Sequence, residues 1–296
     1  MIEELSYRRR ALSKNTWFAG ALLFLVLGCS STNDTPAASG GAGGSGGSAG
    51  SGTGGSSATA GMEGDSVCMS DASPGDVVDV PAGSFMMGCN ADVDDECSDD
   101  ENPQHEVNLD DFSIDVTEVT QDQYAACLAA GSCTAPNCPW DCSQTNLPAT
   151  CVTWDQAKSF CAWAGKRLPT EAEWEKAARG TDALKYPWGN GDPDCSLTNM
   201  SGCGDMLMPV GSLPDGASPY GALDMAGNVV EMVADYYDAA YYAMSPTDNP
   251  TGPDSGTRYG GRGGGYKSES VWQRASKRDW YDLTDQGSAL GFRCAE

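Results

Sequence analysis

Residues 165–175 read GKRLPTEAEWE, and their order is that of one helix closing and another opening. Thr170 followed three residues later by Glu173 is a capping box. In that motif the threonine hydroxyl accepts the N3 amide, and the N3 side chain reaches back to the threonine amide. The helix it opens, TEAEWEKAAR, is closed by Gly180. The same device stands twice upstream. Thr153 with Gln156 opens TWDQAKSFCAWA, closed by Gly165, and Thr120 with Gln123 opens TQDQYAACLAA, closed by Gly131.

Before these three predicted helices the chain is β-rich. DVVDVPAGSFMMG (76–88) and EVNLDDFSIDVTEV (106–119) are short and partly alternating, with Val107, Leu109, Ile114 and Val116 as the predicted inward residues. After Gly180 the chain is rich in Gly, Pro and Asn with few periodic segments. The expectation is an α+β, loop-rich domain held by disulfides.

The N-terminus has a different character. Arg8, Arg9, Arg10 and Lys14 precede the eleven-residue run WFAGALLFLVL (Trp17 to Leu27), which stops at Gly28-Cys29. That is a secretory signal, and the run is too short to span a hydrocarbon core about 30 Å thick. LVLGC resembles a lipobox, so residues 1–28 are expected to be a lipoprotein signal peptide and Cys29 its lipidation site. Ser30 after the cysteine points to the outer membrane of a Gram-negative envelope. Residues 29–64 form a Gly/Ser/Ala-rich flexible tether with a typical reach of ~30 Å. The folded domain is expected over 65–296.

The sequence holds 17 basic and 42 acidic residues. Without the four basic and two acidic residues of the leader, 13 and 40 remain, a net charge of −27. Nucleic acid is therefore not an expected partner, and the protein is expected to act as a monomer. Six of the 13 basic residues lie in 158–185 and six in 258–278. GGGYKSESVWQRASKRDW (263–280) is thus a basic island. The acidic run DVDDECSDDE (92–101) reads as a solvated loop, with cation binding as the alternative. His105, the single histidine, reads as structural.

Setting Cys29 aside leaves twelve of the 13 cysteines, an even number in an exported chain, so disulfides are the expectation. Cys89/Cys97, Cys127/Cys133, Cys138/Cys142 and Cys195/Cys203 are spaced to staple short loops, though spacing does not fix connectivity. Zinc at Cys138 and Cys142 is the competing reading.

The segments VPAGSFMMG, ENPQHEVNLDDFSIDVTEVTQDQYAAC, GKRLPTEAEWE, YPWGN, DMAGNVVEM, RGGGY and ALGFRCA together resemble the formylglycine-generating enzyme family, or sulfatase-modifying factors, across nearly all of 78–296. The resemblance implies a loop-rich variant of the C-type lectin fold and a disulfide between Cys161 and Cys294. It implies Ca²⁺ on the Asp224 carboxylate, the Gly227 and Val229 carbonyls and the Glu231 carboxylate, all hard oxygens suited to that ion. A second calcium set would be Asn199, the Met200 carbonyl and Asp205.

Family chemistry rests on two cysteines that hold Cu(I) in the loop after an RGGSY-like sequence; soft thiolates select that ion. Aligned from GGGY, their positions fall on Ser268 and Gln273. Neither side chain replaces a thiolate, so no copper is expected. Gly265 stands where the family commonly has Ser, and Val230 and Met232 stand where it has tryptophans. The expected function is a calcium-stabilised binding module, a pseudoenzyme on an exported lipoprotein. Tyr266, Lys267, Trp272, Arg274, Lys277 and Arg278 are its candidate ligand-binding residues, facing an anionic small molecule, glycan or peptide. The same basic residues equally suit neutralising the acidic surface around them. The alternatives are a formylglycine-generating oxidase acting on a sulfatase cysteine, or another oxidoreductase on the scaffold, such as the iron-dependent sulfoxide-forming or pigment-maturing relatives.

Overall fold

The three capping boxes form as read. In the computed structural model, which describes residue 70 and residues 72–141 and 143–296, Thr120, Thr153 and Thr170 each accept the N3 amide while the N3 side chain accepts the threonine amide. They open α1 (Gln121–Ala129), α2 (Trp154–Trp163) and α3 (Glu171–Arg179). The leader, the tether, Cys29, Cys68 and Cys142 lie outside the described residues. Among those described, no helix is long and apolar enough to cross a membrane.

Each β-rich segment splits into two strands. β1 (Val77–Val80) pairs antiparallel with β4 (Phe112–Asp115), and β2 (Gly83–Met87) with β3 (His105–Leu109). Val107, Leu109 and Ile114 point inward as expected. Val116 is a correction, since it is only half-buried. The chain has left the ladder there, and the Val116 carbonyl accepts from Leu223 instead. A four-stranded sheet of order β7-β6-β5-β8 follows, from β5 (Val230–Tyr236), β6 (Arg258–Arg262), β7 (Asp279–Asp282) and β8 (Leu290–Gly291). Only β5 and β8 run parallel among these pairs.

Two apolar clusters fill the space between these elements. One gathers Phe85, Val107, Ile114, Met225 and Val233 around Trp174 of α3. The other packs α1 and α2 on the four-stranded sheet through Tyr124, Trp154, Phe160, Tyr259 and Phe292. Trp154 stacks on Tyr259 at 5.8 Å, and Tyr124 on Phe160 at 5.6 Å. Rings of this size dominate core energetics because each removes 150–250 Å² from water.

Cys161 of α2 is bonded to Cys294, a closure across 133 residues. The C-terminal strand is held there from both sides, as Arg167 and Ala295 exchange two backbone hydrogen bonds and Ser113 and Glu296 exchange two more. Cys89–Cys97, Cys127–Cys133 and Cys195–Cys203 are also bonded. Cys138 is a correction: it pairs with Cys151, not Cys142. The Asn137 amide donates to the Cys151 carbonyl, bringing those segments side by side. The Cys138 sulfur is thereby unavailable to zinc.

Candidate functional site

The loop after β6 begins with a constraint. Gly264 has φ +66°, and a Cβ there would stand 2.7 Å from the Trp272 carbonyl oxygen, so the loop folds back tightly on its own far side. Within it Ser268 is a turn residue. Its hydroxyl accepts the Gly265 amide at 3.0 Å, and its carbonyl accepts the Ser201 amide at 3.0 Å. Gln273 is fully buried; its Oε1 accepts the Thr198 hydroxyl at 3.3 Å, while its Nε2 is buried without a partner. Beside Gly263, Gly264, Trp272 and Lys277 the opening measures only about 10 Å³, room for one water.

Three basic side chains of the island meet acidic side chains of the same chain. Arg274 is 0 % exposed, with Nη1 2.7 Å from Asp94 and 2.8 Å from Glu101, and Nη2 2.8 Å from the second Glu101 oxygen. Lys277 Nζ donates to Ser98 at 2.6 Å and Glu101 at 3.1 Å, and lies over the Trp272 ring. Arg278 grips both oxygens of Glu171 at the start of α3, at 2.8 and 3.0 Å, between the rings of Tyr237 and Tyr242. Tyr266 is buried with its hydroxyl against Ser288, and Lys267 lies over the Tyr266 ring. Arg274, Lys277 and Arg278 as ligand-binding residues are therefore corrected. They are the internal counter-charges of the acidic run and of α3, because an ion taken out of water costs several kcal/mol unless an opposite charge meets it.

The acidic run is corrected in part: Asp92, Asp95 and Asp99 are exposed, as a solvated loop requires, but two other carboxylates of the run are not. Asp94 and Glu101 are buried rather than solvated, and Lys185 adds a second cation 3.3 Å from Asp94. Burial alone would raise the Asp94 pKa, but hydrogen bonding and charge from Arg274 leave it below the ordinary value. Burial likewise opposes the charged form of Arg278, and Glu171 outweighs it, so that guanidinium titrates above its usual range.

A second cluster forms where β5 meets the end of the chain. Glu231 is 1 % exposed and receives Arg293 at 2.6 and 2.7 Å and the Trp174 indole at 2.8 Å. Asp224, at φ +57°, accepts the Gly211 amide at 2.6 Å. Glu118, which sequence reading had not singled out, is buried against them. Its Oε1 accepts the Asn228 amide group at 3.1 Å, and its Oε2 is buried with no partner. Burial first, then the charges of Asp224 and Glu231, push the Glu118 pKa well above the usual carboxylate range. Three carboxylates thus share one guanidinium. Gly227, at φ +89°, passes so close that a Cβ would lie 2.3 Å from the Thr198 hydroxyl.

The second predicted calcium set is drawn into a turn. The Met200 carbonyl accepts the Cys203 amide, the exposed Asp205 accepts the Gly202 amide, and only the buried Asn199 Oδ1 is without a partner. The signal for Glu118 was its place in DVTEVT, two residues before a helix cap. The ion pairs of Arg274 and Lys277 with Asp94 and Glu101 clamp the acidic run to the 263–280 loop.

With this geometry in hand, the comparisons are specific. The sulfatase-modifying factor enzyme 1-like domain matches residues 66–296. The formylglycine-generating enzyme of Streptomyces coelicolor is 32 % identical over 280 residues, covering 74 % of this chain and 88 % of that protein. The serine/threonine-protein kinase pkn1 of Chlamydia caviae is 32 % identical over 243 residues, 75 % of this chain, which spans only 38 % of the kinase's length. Among solved structures, PvdO from Pseudomonas aeruginosa superposes with a TM-score of 0.64 at 30 % identity, over 74 % of this chain and 93 % of PvdO.

Proposed function

Since the chain belongs to the sulfatase-modifying factor family and has its formylglycine-generating-enzyme fold, a variant of the C-type lectin fold, we propose that residues 65–296 are a binding module from which the two-thiol copper chemistry is gone. The observation that carries this reading is the pair Ser268 and Gln273. One is a turn hydroxyl and the other an interior amide, and ion pairs to Asp94 and Glu101 hold the segment directly after them. A protonated hydroxyl and a neutral amide are hard, weak donors for Cu(I).

The expected result is that the full-length protein, supplied with Cu(I) and oxygen, leaves a peptide of CxPxR type unchanged. Conversion of its cysteine to formylglycine, seen as a mass change, would overturn the reading.

Calcium belongs to the same proposal. Two observations support a divalent cation near Asp224 and Glu231, although the Glu118, Asp224 and Glu231 oxygens do not by themselves converge on one point: a Glu118 oxygen buried without a partner, and negative charge that Arg293 alone does not balance. Bound there, the ion would supply charge balance and rigidity to the turn from Asp224 to Glu231, with no part in a reaction. Delivery of this module to the cell envelope through lipid on Cys29 completes the proposal. Cys29→Ser should move the protein from the membrane to the soluble fraction, and retention in the membrane would remove the anchor.

A further inference from the structure

A second concavity lies away from the copper-type loop. A cleft of about 770 Å³ opens between the β3–β4 turn, α2, the segment joining α2 to α3, and residues 249–251. That volume is within the range of small-molecule sites, roughly 300–1,000 Å³. It shares no lining residue with the narrow opening beside Gly264. Its walls are fixed before any ligand arrives: the Ala234 amide donates to Pro169, Asn249 donates to Asn108, and Asn249 and Asp110 exchange two further hydrogen bonds.

The charges around the cleft are unequal. Lys166 is matched inside by Asp115 at 2.6 Å, and Arg167 by both oxygens of Glu173 at 2.6 Å. Lys158 lies over the Trp154 ring, 3.6 Å from Asp155. On the opposite side of the ledger Asp110 is exposed and bonded only to a neutral amide group, and the exposed Asp111 side chain has no hydrogen bond or ion pair among the described residues. The cations and Glu173 are matched, and Asp110 and Asp111 meet no cation among the described residues. Between them run the buried apolar side chains of Leu109, Leu168 and Pro250. A formal net charge of −25 over the chain adds a long-range pull on positive ligands.

We propose that this cleft binds an aliphatic amine, its carbon body on the apolar lining and its ammonium against Asp110 and Asp111. The inference deepens the binding-module reading and rests on it. The amine could be borne by a lysine side chain of a peptide or by a free polyamine, and two probes separate these. Isothermal titration of the full-length protein would use the end-blocked peptide Ala-Lys-Ala-Lys-Ala and, separately, spermidine.

Binding of either probe is expected, weakened about tenfold by Asp111→Lys, the loss that one charge pair of about 1.4 kcal/mol gives. Asp192→Lys, the same charge change at an exposed residue that does not line the cleft, is expected to leave affinity within about twofold, since distant surface charges are screened. Both aspartates lie on the surface, and equal melting temperatures would show that both variants fold. Peptide binding alone assigns a lysine side chain, and spermidine binding alone assigns a free polyamine. Equal weakening by the two variants, or binding of neither probe, overturns the site. Such a failure leaves the binding-module reading standing, because that reading falls only on formylglycine formation.

Discussion

Arg274→Met is expected to destabilise the domain by about 3–5 kcal/mol, the cost of removing one partner from a buried ion pair. The side chain is 0 % exposed and is the only guanidinium described as meeting both Asp94 and Glu101, so its loss leaves two buried carboxylates short of charge, Asp94 with Lys185 alone and Glu101 with Lys277 alone. Urea unfolding reads the effect as a fall in midpoint at constant slope, which marks lost stability rather than a changed unfolded state. An unchanged midpoint would show that the clamp contributes nothing. Adding Asp94→Asn and Glu101→Gln to Arg274→Met should recover part of the loss, because the penalty belongs to buried negative charge in excess of Lys185 and Lys277, and contacting residues are not additive. Failure to recover would assign the effect to packing of the arginine stem.

The same pairs set an acid limit. Asp94 and Glu171 both titrate below their ordinary values; burial works against this, and Arg274 and Arg278 respectively overcome it. A carboxylate with a depressed folded pKa adds stability that is present above its unfolded value, near 4, and is lost as pH falls below it. The clamp between the acidic run and the 263–280 loop should therefore hold at neutral pH and release in acid.

Removal of calcium is the second large effect. A ligand at 100 times its dissociation constant that binds only the folded state adds ~2.7 kcal/mol. For a domain of this size that is a shift of roughly 5–10 °C in melting temperature. Chelation of the purified protein should lower its melting temperature by that amount, and restored calcium should return it. Asp224→Ala should abolish the response to chelator. Glu118→Gln should shrink it, because an amide brings less negative charge to the ion while relieving the repulsion that burial imposes on the metal-free cluster. A melting temperature indifferent to chelator in the unmodified protein would remove calcium from the proposal.

What could be read from the chain in advance follows the range of each interaction. The capping boxes act between residues three apart, so Thr120, Thr153 and Thr170 marked their helices without reference to anything else. The lack of cysteine in residues 263–280 was equally local in sequence: a loop with no cysteine supplies no thiolate, wherever it folds. The clamp was not legible, although every residue of it had been noticed. Asp94 and Arg274 are 180 residues apart, and Glu231 meets Arg293 across 62.

Charge counts showed a basic island in an acidic chain and left open whether it faced a ligand or its own protein, since both arrangements have the same composition. Cysteine parity gave disulfides, but Cys138 took Cys151 because the backbone brought those segments together. The sequence by itself determined the helices, the family resemblance and the absence of cysteine from residues 263–280, all properties of neighbouring residues. Only the tertiary structure decided where the charges went, because the cost of burying an ion is settled by whichever opposite charge the fold delivers to it, and that delivery is a long-range event.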